Sequence, residues 1–196
     1  MSGKKLSGVP RKVGAPDNQQ ERLDLRSNMA NKSNWLNKIP PSIGYYIAGF
    51  TDGEGSFNVS MRKGDGYRYG WQFCFSFCVF QKDEVILSLL KRYLNCGRLK
   101  QRRDGLWYYV VENQSSLFER ITPFFNKFGF LSARMKKNFS VFKRILSIVQ
   151  SGKHIESDGI KEVVKLREEL NEGRGRTRKY NQSDVCLDQE SSETIC

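Results

Sequence analysis

Ile47-Ala48-Gly49-Phe50-Thr51-Asp52-Gly53-Glu54-Gly55 is the stretch on which the reading of this chain turns. Pro40-Pro41-Ser42 upstream is a helix-start signal, with Ser42 as the expected N-cap. A helix from about Ile43 to Gly53 follows, closed by Gly53 and Gly55. Its C-terminus carries partial negative charge, so Asp52 and Glu54 are electrostatically disfavoured there. A bound divalent cation would compensate for both. The helix is short and rich in glycine, which makes it poor on propensity alone. Gly49-x-x-x-Gly53 would let another backbone approach closely, such as that of a second copy.

Downstream the period changes from helical to two-residue alternation. Phe57, Val59 and Met61 alternate with Ser56, Asn58, Ser60 and Arg62. Lys63-Gly64-Asp65-Gly66 reads as a turn. Trp71, Phe73, Phe75, Phe77 and Val79 then alternate with Gln72, Cys74, Ser76 and Cys78. One face of this hairpin must be covered by helices; the other meets water or a ligand. A helix fits Lys82 to Leu94, with Val85, Ile86, Leu89, Leu90 and Tyr93 as its buried stripe. A second hairpin sets Arg98, Lys100 and Arg102 against Leu99 and Gln101, turns at Asp104-Gly105, and returns along Leu106 to Val111. On the return strand, either Trp107 and Tyr109 or Tyr108 and Val110 face outward.

Further helices fit Ser115 to Phe125, Asn138 to Gln150 and Gly159 to Leu170, with Leu131 to Lys137 as a basic loop. The order α-β-β-α-β-β-α plus C-terminal helices implies an α+β domain: a curved antiparallel sheet with helices on one face. Residues 1–34 read as a polar, disordered arm, residues 35–172 as the folded domain, and residues 173–196 as a flexible tail, basic and then acidic.

The chain has 196 residues and a net charge of +12, which favours a polyanionic partner, nucleic acid before membrane. No apolar run is long enough to span a bilayer, and the start lacks the apolar core of a secretory signal. Asp17, Glu21 and Asp24 are unusual for a transit peptide. The expected location is an organelle, chloroplast or mitochondrion, or a prokaryotic cytoplasm, without secretion. The 5 cysteines form no CxxC pair, and with a single histidine, His154, a zinc site lacks ligands. A Ser-His-Asp hydrolase would have to be built on that one histidine.

The stretch from Ile47 to Gly55 resembles the namesake motif of the LAGLIDADG homing endonucleases. Val79-Phe80-Gln81-Lys82 and Pro123-Phe124-Phe125 resemble further segments of that family. The motif occurs once, and single-motif members act as homodimers whose motif helices pack at a two-fold axis. The resemblance implies an interface at Ala48, Gly49, Asp52 and Gly53, and a roughly palindromic target. It implies that Glu54 and the Gly53 carbonyl hold Mg²⁺, that Asp52 is first a structural support of the turn, with metal binding as its second reading, and that Gln81 positions water. Arg134 or Lys136 would supply the basic group at the cleaved bond.

DNA would be read by Asn58, Ser60, Arg62, Gln72, Cys74, Ser76, Cys78, Arg98, Lys100 and Arg102, with Arg68 reaching flanking bases. The resemblance implies a site-specific, Mg²⁺-dependent DNA endonuclease that promotes the mobility of its intron. An intron RNA maturase on the same fold, or a non-catalytic DNA-binding regulator, are the alternative functions.

Overall fold

The computed structural model describes residues 35–67, 69–171 and 179–185. The arm expected over 1–34, Arg68 and the remainder of the tail lie outside the described residues. Two compact units divide between Lys38 and Ile39, and every element named below lies in the second.

Helix α1 spans Pro41–Glu54. Its N-cap is Pro40, without a side-chain cap, so Ser42 is not the cap expected from sequence. Pro41 takes the first helical position, where a missing N–H costs nothing and φ is already set. Strands β1 (Gly55–Lys63) and β2 (Trp71–Gln81) form the first hairpin. Helix α2 (Glu84–Leu94) is capped by Asp83, whose carboxylate accepts from the Val85 N–H at 2.8 Å. Strands β3 (Arg98–Gln101) and β4 (Trp107–Val111) form the second hairpin. Helix α3 covers residues 114–128, α4 spans Ala133–Gln150 and α5 spans Ser157–Glu169. The sheet order is β1-β2-β4-β3, antiparallel throughout.

The apolar face of the sheet carries the core. Phe57 is fully buried, with its ring 5.1 Å from Phe77, 5.0 Å from Phe142 of α4 and 6.0 Å from Phe125 of α3. Aromatic pairs at these spacings add to the burial of the rings themselves. α3 bulges into a π-turn over Leu117–Ile121, where the Thr122 N–H reaches back to the Leu117 carbonyl. Pro123 follows at once, and its missing N–H and bulky ring do not fit a regular helical ladder.

The buried stripe of α2 is Ile86, Leu87, Leu90 and Leu94, rotated from the one expected; Val85 is 75% exposed. The helix is apolar over more than one side, so only its packing decides which side is covered.

Within α1 the glycine that allows close packing inside the chain is Gly44. A Cβ there would lie 2.1 Å from the Phe128 ring. Gly44→Ala is expected to destabilise the chain by roughly 1–2 kcal/mol, despite about 1 kcal/mol of helix propensity gained. A urea midpoint unchanged from the parent chain would show that the ring moves aside without cost.

β1 is an edge strand, and its free carbonyls are covered from the C-terminal side. Arg167 Nε donates to Val59 O at 3.0 Å, and Asn171 Nδ2 donates to Phe57 O at 2.7 Å. Such cover removes the template for unwanted strand pairing. Part of the segment expected as a loose tail docks here as well. Tyr180 packs 4.9 Å from Trp71, its carbonyl accepts from Arg167 Nη1 at 2.8 Å, and Val185 is 1% exposed.

Candidate active site

The site is built where α1 runs into β1 without a loop. Gly55 is extended, with φ −81° and ψ 157°, and its N–H donates to Thr51 O. A Cβ at Gly55 would lie 2.5 Å from Thr51 Cγ2 and 2.6 Å from Thr51 O. Glycine is therefore needed for a sterically tight passage from helix to strand, which leaves Glu54 at the junction.

The two carboxylates of the motif have different surroundings. Asp52 turns toward the loop before α4. It accepts from Leu131 N at 2.9 Å, from Ser132 N at 2.8 Å and from the Ser132 hydroxyl. Ser132 is itself the N-cap of α4 and accepts from the Met135 N–H. The carboxylate that the end of α1 disfavours thus stands at the positive end of another helix. Partial burial alone would raise the Asp52 pKa. The bonds from the Ser132 hydroxyl and N–H, the Leu131 N–H and the nearby Arg134 outweigh that and hold it below the ordinary carboxylate value. With three donors engaged, Asp52 serves the joint between α1 and α4 within its own chain.

Glu54 is exposed and has no hydrogen-bond or ion-pair partner among the described residues. No group of three or more His, Cys, Asp or Glu comes together among those residues. Glu54 and the backbone oxygens beside it are hard ligands suited to Mg²⁺ or Ca²⁺. They match such an ion in kind, yet the described residues of a single chain offer only one free carboxylate here.

Arg134 and Lys136 sit in the first turn of α4, not in the loop expected from sequence, because Ser132 starts the helix early. Three cationic residues near a helix N-terminus read as a loop when Asp52, distant in sequence, is out of view. Arg134 Nη2 donates to Asp52 O at 3.1 Å, satisfying a carbonyl at the end of α1. The guanidinium keeps further donors at the end of α1. Lys136 is exposed.

Gly55 pairs with Val79, so Phe80 and Gln81 of β2 run on past the end of α1. Gln81 lines a cavity of about 280 Å³ with Tyr46 and Phe50 of α1 and with Asp83, Val85, Ile86 and Leu89. Its Oε1 accepts from Lys82 N at 2.8 Å. Gly49 and Gly53 lie on the exposed side of α1, and nothing lies within 4 Å of a Cβ built on either. Ala48, by contrast, is 3% exposed and belongs to the core of its own chain.

The face of the sheet away from the core collects the polar residues of both hairpins. Ser56 pairs with Cys78, Asn58 with Ser76, Ser60 with Cys74 and Arg62 with Gln72. Cys78 also pairs with Val110, which pairs with Arg98, while Phe80 pairs with Tyr108, which pairs with Lys100. The open phase of β4 is thereby settled: Tyr108 and Val110 share this face, and Tyr109 is buried beneath it. Cys74 and Cys78 lie on the same face and are not joined in a disulfide.

Arg102 differs from expectation. It lies beyond β3 in a tight turn closed by Gly105 at φ +81°, with an ion pair to Asp104 at 3.1 Å. Arg98 is ion-paired with Glu112. Phe80 was missed as a member of the face, although the alternation of β2, followed one step past Cys78, places it there.

Comparison with known proteins agrees with this geometry. A family model described as LAGLIDADG endonuclease matches residues 47–146. A probable intron-encoded endonuclease 2 of Neurospora crassa is 33% identical over 138 residues, which is 68% of this chain and 30% of the relative. The homing endonuclease I-ApeII of Aeropyrum pernix is 28% identical over 103 residues, 52% of this chain and 60% of its own length. The chain therefore spans less than two thirds of either curated relative.

Among solved structures, the archaeal intron-encoded homing endonuclease I-Vdi141I, complexed with DNA, superposes with a TM-score of 0.70 at 30% identity. That match covers 76% of this chain and 96% of the other. With the motif at the α1–β1 junction, the four-stranded sheet and these matches, the chain belongs to the LAGLIDADG endonuclease family.

Proposed function

We propose that the protein is a site-specific DNA endonuclease that works as a homodimer with Mg²⁺ and promotes the mobility of the intron that encodes it. The observation that carries this reading is Glu54, an exposed and unpartnered carboxylate at one end of a polar sheet face. The named endonuclease relatives and the DNA-bound structural neighbour support it.

The sheet face has the dimensions of a DNA half-site. β1 is 9 residues long. At about 3.4 Å per residue it runs alongside roughly nine base pairs. Arg62 and Lys100 supply charge for phosphates or guanine, and Asn58 and Gln72 supply the amides that pair with adenine. The exposed side of α1, open over Gly49 and Gly53, gives a second copy room for close backbone approach. Two copies would bring two Glu54 carboxylates to one axis, and a two-fold protein calls for a pseudo-palindromic site.

A divalent cation bound there would stabilise charge on the phosphate and lower the pKa of an attacking water. The chain's own residues do the rest. Glu54 and the Gly53 carbonyl provide the anionic pocket. Gln81 orients water at the neighbouring strand end. Arg134, anchored on Asp52 O, and Lys136 face the developing charge at the scissile bond.

The test is incubation of the purified protein with Mg²⁺ and DNA carrying the uninterrupted insertion site of its host gene. Specific double-strand cleavage that a chelator abolishes is expected, together with a dimer mass on DNA in sedimentation. Tight binding of intron RNA without DNA cleavage would establish the maturase reading instead. A monomer mass on DNA would remove the shared active site. No helix among the described residues is long and apolar enough to cross a membrane.

A further inference from the structure

The outward sheet face holds one feature that charge and hydrogen bonding do not explain. Phe80 is 36% exposed, and its ring stacks on that of Tyr108, 5.7 Å away with an interplanar angle of 23°. The two are directly opposed across β2 and β4. The rest of the face is small, polar or cationic apart from Val110, which is 6% exposed. Phe80 is exposed and Tyr108 half-buried, so the stacked pair presents an apolar surface within an otherwise polar face.

Its place on the sheet is specific. Phe80 follows Val79, the partner of Gly55, so the pair forms the outward row next to the Glu54 junction. Lys100, the partner of Tyr108 on β3, continues the row. Outward rows recur about every 7 Å along a strand, roughly two base pairs of DNA. The aromatic row therefore meets the base pairs nearest the cleaved bonds, and the amide and arginine rows meet those farther out. In the major groove the one apolar group that the base edges display is the thymine methyl.

We propose that Phe80 and Tyr108 select thymine at the innermost base pairs of each half-site, by apolar contact with the methyl group. This inference rests on the DNA-binding reading above. Lys100 beside them holds the adjoining phosphate and fixes the register of the rings on the groove.

The test is selection from a library of random DNA duplexes by the wild-type chain and by Phe80→Ser/Tyr108→Ser, with Ca²⁺ in place of Mg²⁺. Wild type is expected to enrich thymine at the innermost positions of each half-site. Replacing those thymines by deoxyuridine, which lacks only the methyl, should weaken binding about fourfold for each methyl removed. The double variant should keep the outer preferences, lose the inner ones, and bind thymine and deoxyuridine sites alike. Equal sensitivity to deoxyuridine in both proteins would overturn the proposal, as would wild-type selection without inner thymine.

The deoxyuridine measurement on wild type stands even if the double variant fails to fold. Loss of single-stranded RNA binding with an unchanged duplex profile would move the pair to RNA and refute the proposal. Failure of wild type to enrich any duplex would instead bring down the DNA-binding reading itself.

Discussion

Glu54→Gln is expected to lower cleavage by about a thousandfold or more while leaving the protein folded and able to bind DNA. The side chain is exposed and unpartnered among the described residues, so its replacement breaks no internal bond. Glutamine keeps the shape and removes the charge that would hold a cation. Without divalent metal, the variant should bind DNA as tightly as wild type or more tightly, because the carboxylate repels phosphate. Gel-shift titration in chelator and single-turnover cleavage in Mg²⁺ separate the two effects. Cleavage at the wild-type rate would remove Glu54 from the mechanism, and loss of binding in parallel with cleavage would make it a contact residue.

Asp52→Ala carries the second large effect, and it falls on stability first. Its carboxylate accepts two backbone N–H groups and the Ser132 hydroxyl at the start of α4. Removing it orphans those donors at a helix N-terminus, for an expected loss of about 2 kcal/mol in denaturant unfolding. Cleavage should fall too, since α4 carries Arg134, which bonds to the end of α1, and Lys136 in the same first turn. Asp52→Asn should recover part of the stability, because the amide oxygen still accepts.

The dependence on pH has a definite sign. The folded-state pKa of Asp52 is lowered, so its contribution is complete above the unfolded carboxylate value, about 4. It is lost as the pH falls below that toward the folded value. The stability gap between wild type and Asp52→Ala should therefore be flat near neutrality and close below about pH 4. A gap that persisted unchanged into stronger acid would show that the charge of Asp52 contributes nothing.

Much of the sheet was legible because alternation is a strong local signal. The two-residue period of Phe57 to Met61 and of Trp71 to Val79 assigns each residue to a face before any partner is known. The structure places the same residues on the same faces. β4 resisted this reading because Trp107-Tyr108-Tyr109-Val110-Val111 is apolar throughout. Its phase came from pairing, with Tyr109 opposite Val79 and Leu99. The stripe of α2 resisted for a similar reason, and its true orientation leaves Val85 beside Tyr46, Phe50 and Gln81.

The motif shows the same division. Its residues by themselves determined that an apolar helix ends in two carboxylates and passes into a strand, and that this chemistry suits a metal-dependent nuclease. That reading treated the two acids as a pair at an unfavourable helix end. The family resemblance already assigned Glu54 to metal and Asp52 to the turn; only the tertiary structure supplied the physical basis, by bringing the N-terminus of α4 against Asp52 and leaving Glu54 exposed at the junction. The physical reason is reach. Helix and strand periods depend on neighbours a few residues apart, and the sequence displays those neighbours directly. The field that stabilises Asp52 comes from Leu131 and Ser132, some 80 residues away along the chain, and no local pattern encodes it.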